Sequence, residues 1–558
     1  MKDLKYIMML CSVVLLLMSL AACKKDFLER APSDLITSEE VFGNIENAED
    51  FLNNAYNILP NWFDKPENNH VWALASGTDE AEQVWDADGD VNHFNTGNIT
   101  PQYYPFMDRY FDLYKAIRRI NIFLENYNKI PEEIGNSGQQ VSRKQRLKGE
   151  AYGLRAYYYF ELFKMWGDVA LVKSSLDFSD PNVNKLKRSP VSEVYAYVLA
   201  NVDSAVAILP AKYNSDALYG RMTATAVKAL AARASLYYAS KLFNSSNEES
   251  RWAEAAQKNK EAINFAGANG YVLCTAPGST YSAYERVFQD IKNEEVLFTR
   301  FGVNTTSYYT NVDKITESNG FGGDGGTQVL QEMVDAYEMK DGKAINGSGS
   351  SYNDQKPYEN RDPRLGYSVN YHGRLWKGRE FNMKNGGLDR ITWTPAPNYY
   401  IRKFLAEEYN LFTYSNYRYR PWVLFRLTEL YLNYAEALNE SMAAPNSEVY
   451  DAINAIRKRV DMPVLTSGLN KDQMRDKIRQ ERRVELAFEG HRFWDVRRWK
   501  IAEVVDKGAV HGVVISDNDV YTYPSIETRS FNPSKNYLLP IPQTEMDRNP
   551  NFIQNPGY

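Results

Sequence analysis

The chain has 558 residues, of which 44% are hydrophobic and 24% are charged. These values exclude an intrinsically disordered chain and predict a sizeable core, and the length allows either several average domains or one large one. The 65 basic and 71 acidic residues give a net charge of -6, which argues against the basic surface that a nucleic-acid partner would require.

The first 22 residues have the pattern of a secretory signal peptide. Lys2 and Lys5 precede an apolar run over residues 7–20, which is shorter than the roughly 20 residues needed to span a bilayer. The run ends in LAAC, residues 20–23, which resembles a lipobox and predicts that Cys23 becomes the lipid-bearing first residue of the mature chain. Its acyl chains would anchor the protein without a transmembrane helix, and residues 23–36 would form a polar tether.

Apolar residues then repeat at helical spacing in several segments. Thr37 and Glu40 form a predicted capping box, and an apolar face continues from there to Leu59. Small residues alternate with large aromatic ones on the later stripes, as close packing between antiparallel helices requires. The predicted fold class is therefore mainly α. The later stripes cover residues 106–124, 147–165, 227–242 and 427–438.

Between residues 270 and 420 the chain is rich in Gly, Asn, Tyr and Trp and has only short apolar runs, including GFGGDGG at 320–326. Long irregular segments in compact proteins are usually functional or disordered, and the aromatic content argues against disorder. We therefore predict binding loops with a few strands. The predicted organisation is a single domain over residues 37–558. Its parts are a helical scaffold at about 37–269 and 421–505, a loop-rich ligand portion at about 270–420, and a C-terminal tail at 506–558.

The sequence contains no recognisable catalytic or metal motif. The five histidines form no HExxH pattern, so no zinc site is predicted. Asp86, Asp88 and Asp90 have the spacing of a calcium loop, but the glycine stands at the fourth position and Gly97 occupies the twelfth. Calcium is kept as an alternative to a site with no metal. The glycine run lacks the lysine of a phosphate loop and predicts a turn, and no cofactor is expected.

Six segments, in order along the chain, carry a family resemblance. They are CKKDFLERAPSDLITSEEVF (23–42), NRDPRLGYSVNYHG (360–373), RLTELYLNYAEALNE (426–440), AINAIRKRVDMP (452–463), RQERRVELAFEGHRFWDVRRW (479–499) and YLLPIPQTEMDRNPNFIQNPGY (537–558). Together they resemble the SusD/RagB family of outer-membrane nutrient-binding lipoproteins, over essentially the whole mature chain.

The resemblance implies a SusD-like helical scaffold of four tetratricopeptide-like helix pairs, with an inserted portion near the ligand site. It also implies a partner, a SusC-like TonB-dependent outer-membrane transporter that the lipoprotein covers as a lid. The expected function is capture of oligosaccharides at the outer face of the outer membrane, without catalysis. Two alternatives stay open: a RagB-like protein that binds peptides, and a surface glycoside hydrolase. A hydrolase would need two carboxylates about 5 Å or about 6.5 to 9.5 Å apart, which sequence alone does not fix.

The ligand-contacting residues are predicted from their chemistry, because the resemblance supplies regions but no fixed motif. A flat aromatic ring can stack on the C–H face of a sugar while Asn or Asp side chains bond its hydroxyls. Trp85 is the first candidate because its loop is polar and gives it no route into a core. The neighbouring candidates are Asp88, Asn92 and Asn95, and the more distant ones are Tyr308, Tyr309, Trp376 and Trp393. Each aromatic could instead be an ordinary core or surface residue.

Several further residues are predicted to be structural. Trp166, Trp422 and Trp499 adjoin helical stripes and are predicted to lie in the core. The charged residues of segment 479–499 alternate with apolar ones, which indicates an ion-paired helix-turn-helix packed on the core. His491, in the same segment, is predicted to be a buried or capping residue, not a catalytic base.

Overall fold

The computed structural model describes residues 37–61, 63, 73–85, 91–133, 140–176, 185–301, 312–392, 394–416 and 418–558. Within these ranges the protein is mainly helical, which confirms the predicted fold class. No helix of the described residues combines the length and the hydropathy that crossing a bilayer would need.

Among the described residues, nine helices of 12 residues or more make up most of the scaffold, and nine short helices complete it. The long helices are α2 (Ile45–Tyr56), α5 (Met107–Asn126), α6 (Arg143–Trp166), α7 (Val191–Val206), α8 (Ala224–Ala239), α9 (Glu249–Ala268), α13 (Leu427–Glu440), α14 (Ser447–Arg459) and α15 (Lys471–Glu485). The short ones are α1 (Ser38–Phe42), α3 (Ala73–Ser76), α4 (Asn92–Asn95), α10 (Ala283–Gln289), α11 (Gln331–Ala336), α12 (Pro363–Ser368), α16 (Arg492–Arg498), α17 (Ala502–Val505) and α18 (Gln543–Arg548).

The long helices pack in the order in which they occur along the chain. Helix α2 packs on α5, α5 on α6, α6 on α7, α7 on α8 and α8 on α9. Helix α9 then packs on α13, although about 160 residues separate them in sequence, and α13 contacts α14 and α15. The scaffold is therefore continuous in space and is interrupted in sequence by the segment between α9 and α13.

Helix α6 lies at the centre of this scaffold. It is buried on nearly every side from Gly149 to Trp166, because α2, α5, α7 and α8 all contact it. Glycines on α6 permit the close approach: a Cβ at Gly153 would lie 2.7 Å from the Met222 side chain. Trp166 ends the helix fully buried, and its indole N–H donates to the Tyr104 hydroxyl at 3.0 Å.

The strands are short and form small sheets. One four-stranded sheet has the order β1–β3–β7–β4, with antiparallel neighbours, and the other pairs are β2 with β8, β5 with β6, β9 with β12 and β10 with β11. The bounds are β1 (Ala81–Gln83), β2 (Val296–Arg300), β3 (Thr327–Val329), β4 (Val369–Asn370), β5 (Leu375–Trp376), β6 (Arg379–Glu380), β7 (Tyr400–Ile401), β8 (Trp422–Arg426), β9 (Gly508–His511), β10 (Val514–Ile515), β11 (Tyr521–Thr522) and β12 (Ser525–Arg529).

The apolar stripes locate helices correctly but misplace some of their ends. The capping box between Thr37 and Glu40 is present at the start of α1. Phe106, the first residue of its stripe, has φ 67 and stands before the helix, so α5 begins at Met107. Leu242 continues the stripe of α8 but lies beyond its last residue, because Ser240 is extended and ends the helix.

The segment 479–499 is ion-paired and buried, as its charge pattern indicates. Arg482 donates to Asp495 at 2.6 Å, which joins α15 to α16. Glu485 accepts from Arg426 at 2.9 Å and from Arg364 at 3.0 Å, so it connects the scaffold to the loop-rich portion. Trp166, Trp422 and Trp499 are 0%, 3% and 4% exposed, which confirms their prediction as core residues.

Candidate functional site

The candidate site is built on the glycine run at 320–326, which we call the glycine loop. Its backbone is bonded to the preceding segment: Gly325 N–H donates to Glu317 O at 2.9 Å, and Gly326 N–H donates to Ile315 O at 2.6 Å. A Cβ at Gly323 would lie 2.1 Å from Glu317 O, so a side chain is excluded there. Gly322 and Gly325 have φ of 86 and 62, a conformation that glycine adopts at low cost. The glycines let the backbone of the glycine loop fold into a compact, shelf-like structure, which we also call the shelf.

Trp85 packs on one end of this shelf. Strand β1 pairs with β3 antiparallel, and Val84 N–H extends the pairing by donating to Gly326 O at 2.8 Å. This register sets Trp85 over Gly326, where a Cβ would lie 2.9 Å from two ring carbons of the indole. Trp85 is half-buried and contacts the main apolar core at its edge.

Two exposed aromatic residues lie at the other end of the shelf. Phe412 contacts Gly322, where a Cβ would lie 3.3 Å from its ring, and Phe412 is 67% exposed. Tyr414, two residues later, is 59% exposed. Buried Leu411 anchors the turn that carries them, and the Asn410 side chain accepts from Phe412 N–H at 2.9 Å. The turn is therefore held in place while both rings face outward from the core.

Aromatic rings contact both ends of the glycine loop, Trp85 at Gly326 and Phe412 at Gly322. Gly322 and Gly326 are four residues apart, so their Cα atoms are separated by at most about 14 Å. Lys314 and Asp324 add polar groups beside Gly325: both side chains are roughly half exposed, and Lys314 Nζ lies 3.5 Å from Asp324 Oδ2. We call the surface formed by Trp85, Phe412, Tyr414, Lys314 and Asp324 the Trp85 surface. It offers apolar ring area together with hydrogen-bond donors and acceptors. It is suited to a ligand with alternating C–H faces and hydroxyls.

Trp376 requires a correction as a sugar-contacting residue. It is 1% exposed, and its indole N–H donates to Glu317 Oε2 at 3.0 Å. The Arg402 guanidinium lies over its ring at 5.2 Å from the centroid. Because its ring is enclosed, Trp376 is a core residue that supports the glycine loop through Glu317, whose carbonyl accepts from Gly325. Burial raises the pKa of Glu317 although Lys377 is bonded to it at 2.9 Å.

The two predicted asparagines are the first and the last residue of α4. Asn95 is 4% exposed, and its carbonyl accepts from Ser530 N–H at 2.7 Å. An amide that is enclosed in this way does not reach an external sugar, so Asn95 is also corrected to a structural residue. Asn92 is half-buried, and its carbonyl accepts from Thr96 N–H at 2.8 Å.

The remaining predicted residues lie outside the described residues. These are Asp88, Tyr308, Tyr309 and Trp393, the calcium-like positions Asp86 and Asp90, and the lipidation residue Cys23. Within the described ranges no group of three or more His, Cys, Asp or Glu side chains could hold a metal ion.

The acidic residues just before Trp85 do not form an exposed pair. Asp79 is 5% exposed and accepts from the Arg492 guanidinium at 2.7 Å, and Glu80 is 1% exposed. Glu82 is paired with buried Arg529. Arginine charges outweigh burial and hold the pKa of Asp79 below its ordinary range, whereas burial raises the pKa of Glu80 to about 8. Asp79 and Glu82 are therefore held in ion pairs with arginines, and Glu80 is enclosed beside them.

Sequence reasoning missed Phe412 and Tyr414, although the signal was present. The segment NLFTYSN, 410–416, places both aromatics among Asn, Thr and Ser, as the loop of Trp85 does. The argument that a polar loop cannot bury an aromatic without unpaired polar groups applies equally to them.

The chain is similar to known proteins over nearly its full length. A model described as the SusD family matches residues 294–558, and a model described as starch-binding associating with outer membrane matches residues 26–236. SusD-like protein P38 of Formosa agariphila is 26% identical over 92% of this chain and 95% of its own. A SusD-like protein from Bacteroides fragilis is 26% identical, covers 95% of this chain and 100% of its own, and superposes with a TM-score of 0.76. A SusD-like carbohydrate binding protein from the same species, 23% identical, superposes with a TM-score of 0.75 over 92% of this chain and 99% of its own.

Proposed function

This chain belongs to the SusD family, and from that premise we propose that it captures oligosaccharides at the outer face of the outer membrane and passes them to a SusC-like TonB-dependent transporter. In this proposal the protein binds its ligand and does not cleave it. Lipid attachment at Cys23 would hold it at the membrane.

The Trp85 surface is the observation that carries the proposal. Trp85 and Phe412 contact the glycine loop, and Tyr414 lies two residues after Phe412 in the same turn. Phe412 and Tyr414 are more than half exposed. Exposed aromatics held by a fixed backbone are suited to stacking on sugar rings, since little freedom is lost on binding. Stacking one ring face hides about 50 to 80 Å², which stabilises the complex by about 1 to 2 kcal/mol.

The outer-membrane part of the proposal rests on different support. The LAAC sequence at 20–23 supplies a lipid-attachment signal, and the family description of residues 26–236 names the outer membrane. Copurification with a SusC-like transporter from the same genome would test the delivery step. If no such transporter copurifies with the protein from detergent extracts, that result would argue against the transporter as partner.

The binding step is tested by calorimetry with a panel of neutral oligosaccharides, including α-glucan and β-glucan fragments, and with peptides of similar size. We expect one class of glycan to bind, with a Kd between millimolar and micromolar, and Phe412→Ala with Tyr414→Ala to weaken it about five-fold or more. Val504→Ala is the matched control, because Val504 is 73% exposed and lies on α17. Chromatography of the recovered ligand should show no shortening.

Three results would contradict the proposal. Unchanged glycan affinity in the double variant would remove the Trp85 surface from the binding site. Binding of peptides with no binding of any glycan would favour a peptide-uptake protein. Shortened glycan in the presence of pure protein would indicate a hydrolase.

A further inference from the structure

A second concave surface lies at the C-terminal end of α16. It has a volume of about 410 Å³, and we call it the Trp499 pocket. Small-molecule sites commonly have volumes of about 300 to 1,000 Å³. Trp499 and Trp252 line it, and it shares no residue with the Trp85 surface. The pocket is therefore large enough for a ligand the size of one sugar and is separate from the proposed glycan site.

The charges in the Trp499 pocket do not balance. Both carboxylates that line it are already paired: Glu436 accepts from Arg498 at 2.7 Å, and Glu440 accepts from Arg475 at 2.6 and 2.7 Å. Three further cations line the pocket and have no carboxylate partner among the described residues. They are Lys241, Arg479 and Lys500. The pocket therefore presents an excess of positive charge to whatever enters it.

Arg479 lies against Trp499, and its guanidinium donates no hydrogen bond to another described residue. Its guanidinium lies over the Trp499 ring at 4.8 Å from the centroid. Trp499 is itself fixed, because its indole N–H donates to Glu436 Oε1 at 2.7 Å. The N–H groups of a guanidinium form a planar fork that matches the paired oxygens of an oxyanion.

The surroundings make an anion favourable at this position. Burial lowers the pKa of Arg479, and the neighbouring charges of Arg498 and Arg475 add to this effect although Glu436 and Glu440 oppose it. Arginine nonetheless keeps its proton in proteins, so the guanidinium remains charged in a place that opposes its charge. A bound anion would offset that cost.

We propose that the Trp499 pocket binds an oxyanion group, a carboxylate, sulfate or phosphate, carried on a small ligand, with Arg479 as its main contact. Lys241 is exposed and stands at the rim, where it adds long-range attraction.

The first experiment measures binding of inorganic sulfate to the full-length protein, with chloride at equal ionic strength as reference. Trp499 and Trp252 should report binding through a change in tryptophan fluorescence, and calorimetry confirms the affinity. We expect saturable sulfate binding that Arg479→Gln weakens about ten-fold or more, since charge-assisted bidentate bonds are lost. Arg479→Lys should weaken it less, and Arg548→Gln, at a side chain 71% exposed on α18, should not change it.

Two further experiments identify the source of the oxyanion and separate a loss of binding from a loss of folding. Glucuronate and a sulfated monosaccharide are compared with glucose, which has no charged group. Tighter binding of a charged sugar than of inorganic sulfate would assign the pocket to acidic glycans, whereas equal or weaker binding would assign it to a free anion. Lys241→Gln changes only an exposed residue, so it should weaken binding without lowering the melting temperature.

The proposal is overturned if the wild-type protein shows no saturable binding of sulfate, phosphate or glucuronate up to tens of millimolar. It is also overturned if Arg479→Gln folds normally and binds these anions as the wild type does. Neither outcome depends on neutral glycan binding at the Trp85 surface, so the two proposals fail independently.

Discussion

Trp85 lies directly over Gly326. A substitution at Gly326 can therefore test whether the position of the Trp85 ring matters for glycan binding, without removing the ring. In Gly326→Ala the new methyl would meet the indole at 2.9 Å, so the ring must move. Gly326 does not have a positive φ, so alanine fits its backbone. We expect glycan affinity to fall about five- to thirty-fold, equivalent to about 1 to 2 kcal/mol of stacking. Calorimetry and thermal melts on the variant measure affinity and stability separately.

Gly267→Ala is the control for this substitution. A Cβ at Gly267 meets nothing within 4 Å, and in a helix alanine is favoured over glycine by about 0.5 to 1 kcal/mol. It should therefore leave binding unchanged and raise stability slightly. If Gly326→Ala binds glycan as the wild type does, the position of the Trp85 ring does not matter for recognition. Trp85→Ala is less decisive, because it also removes core packing.

Glu80 gives the stability of the protein a predictable pH dependence. Burial raises its pKa from 4.5 to about 8, and the neighbouring Asp79 adds to the shift. Between about pH 4.5 and pH 8, Glu80 keeps its proton in the folded state but has released it in the unfolded state. The free energy of unfolding therefore falls as pH rises through this range. The slope from this group is at most about 1.4 kcal/mol per pH unit.

Glu80→Gln should remove that slope, because glutamine resembles the protonated acid and cannot ionise. Urea unfolding at pH 5, 6.5 and 8 should show the wild type losing stability relative to the variant as pH rises. Glu359→Gln, at a side chain 62% exposed, should follow the wild-type curve. Parallel curves for the wild type and Glu80→Gln would show that Glu80 is ionised in the folded protein.

At the residue scale, sequence predicts exposure better than it predicts partners. The polar neighbours of Trp85 indicate incomplete burial, and the structure confirms this. Trp376 also lies among polar residues, but Glu317, 59 residues earlier, supplies an acceptor that buries it without an unpaired indole N–H. Such a partner cannot be recognised before the fold is known, because nothing in the local sequence of Trp376 specifies it.

At the scale of elements, helices are predictable where one face repeats, and strands are not. The stripes at 106–124 and 427–438 coincide with α5 and α13. Helix α6 is buried almost all round, so its stripe marks only part of what is packed. Strands β4 and β7 have two residues each and pair across about 30 residues of chain. Segments of that length carry too little alternation to indicate a strand.

The buried ion pairs of Glu485, at the end of α15, lead to a prediction about stability. Glu485 is fully enclosed and accepts hydrogen bonds from Arg426 and Arg364, and Arg459 is also bonded to it. Burial opposes its charge, but Arg459 and Arg426 outweigh burial and hold the pKa of Glu485 well below its usual range. Glu485→Gln should destabilise the fold by about 3 kcal/mol or more, because it leaves buried guanidinium charge uncompensated.

The sign of its pH dependence follows from the lowered pKa. The stabilisation from Glu485 is complete above the unfolded-state value of about 4.3 and is lost as pH falls below it. The wild type should therefore lose stability below about pH 4 more steeply than Glu485→Gln does, as chemical denaturation across pH 2.5 to 6 would show. Asp472→Asn, on the same helix at a side chain 81% exposed, should change stability by less than about 1 kcal/mol. A similarly small effect of Glu485→Gln would contradict the importance assigned to the network.

At the scale of the whole molecule, ion pairs join parts of the chain that are far apart in sequence. Asp79 and Arg492 are separated by 413 residues, and Glu338 pairs with Arg457 at 3.0 Å across 119. These contacts connect the start of the scaffold, the loop-rich portion and the end of the scaffold. The family resemblance indicated this arrangement, whereas composition and periodicity predicted only a helical chain with an irregular insertion. The single-domain organisation over 37–558 stays a prediction, which a single cooperative unfolding transition would support.

The attachment of this molecule to the membrane gives the last prediction. Cys23 follows Leu20, Ala21 and Ala22 at the end of the apolar run, where a lipoprotein signal would be cut. Two or more acyl chains bind a bilayer stably, at about 0.8 kcal/mol per buried CH₂, whereas a protein that lacks them has only weak contacts with the membrane. Cys23→Ala should therefore abolish labelling by a fatty-acid analogue and move the protein from the membrane fraction to the soluble fraction. External protease on intact cells should digest the wild type if it faces the cell exterior. Unchanged labelling of Cys23→Ala would exclude this cysteine as the anchor, and full protection from protease would place the protein on the inner face of the membrane.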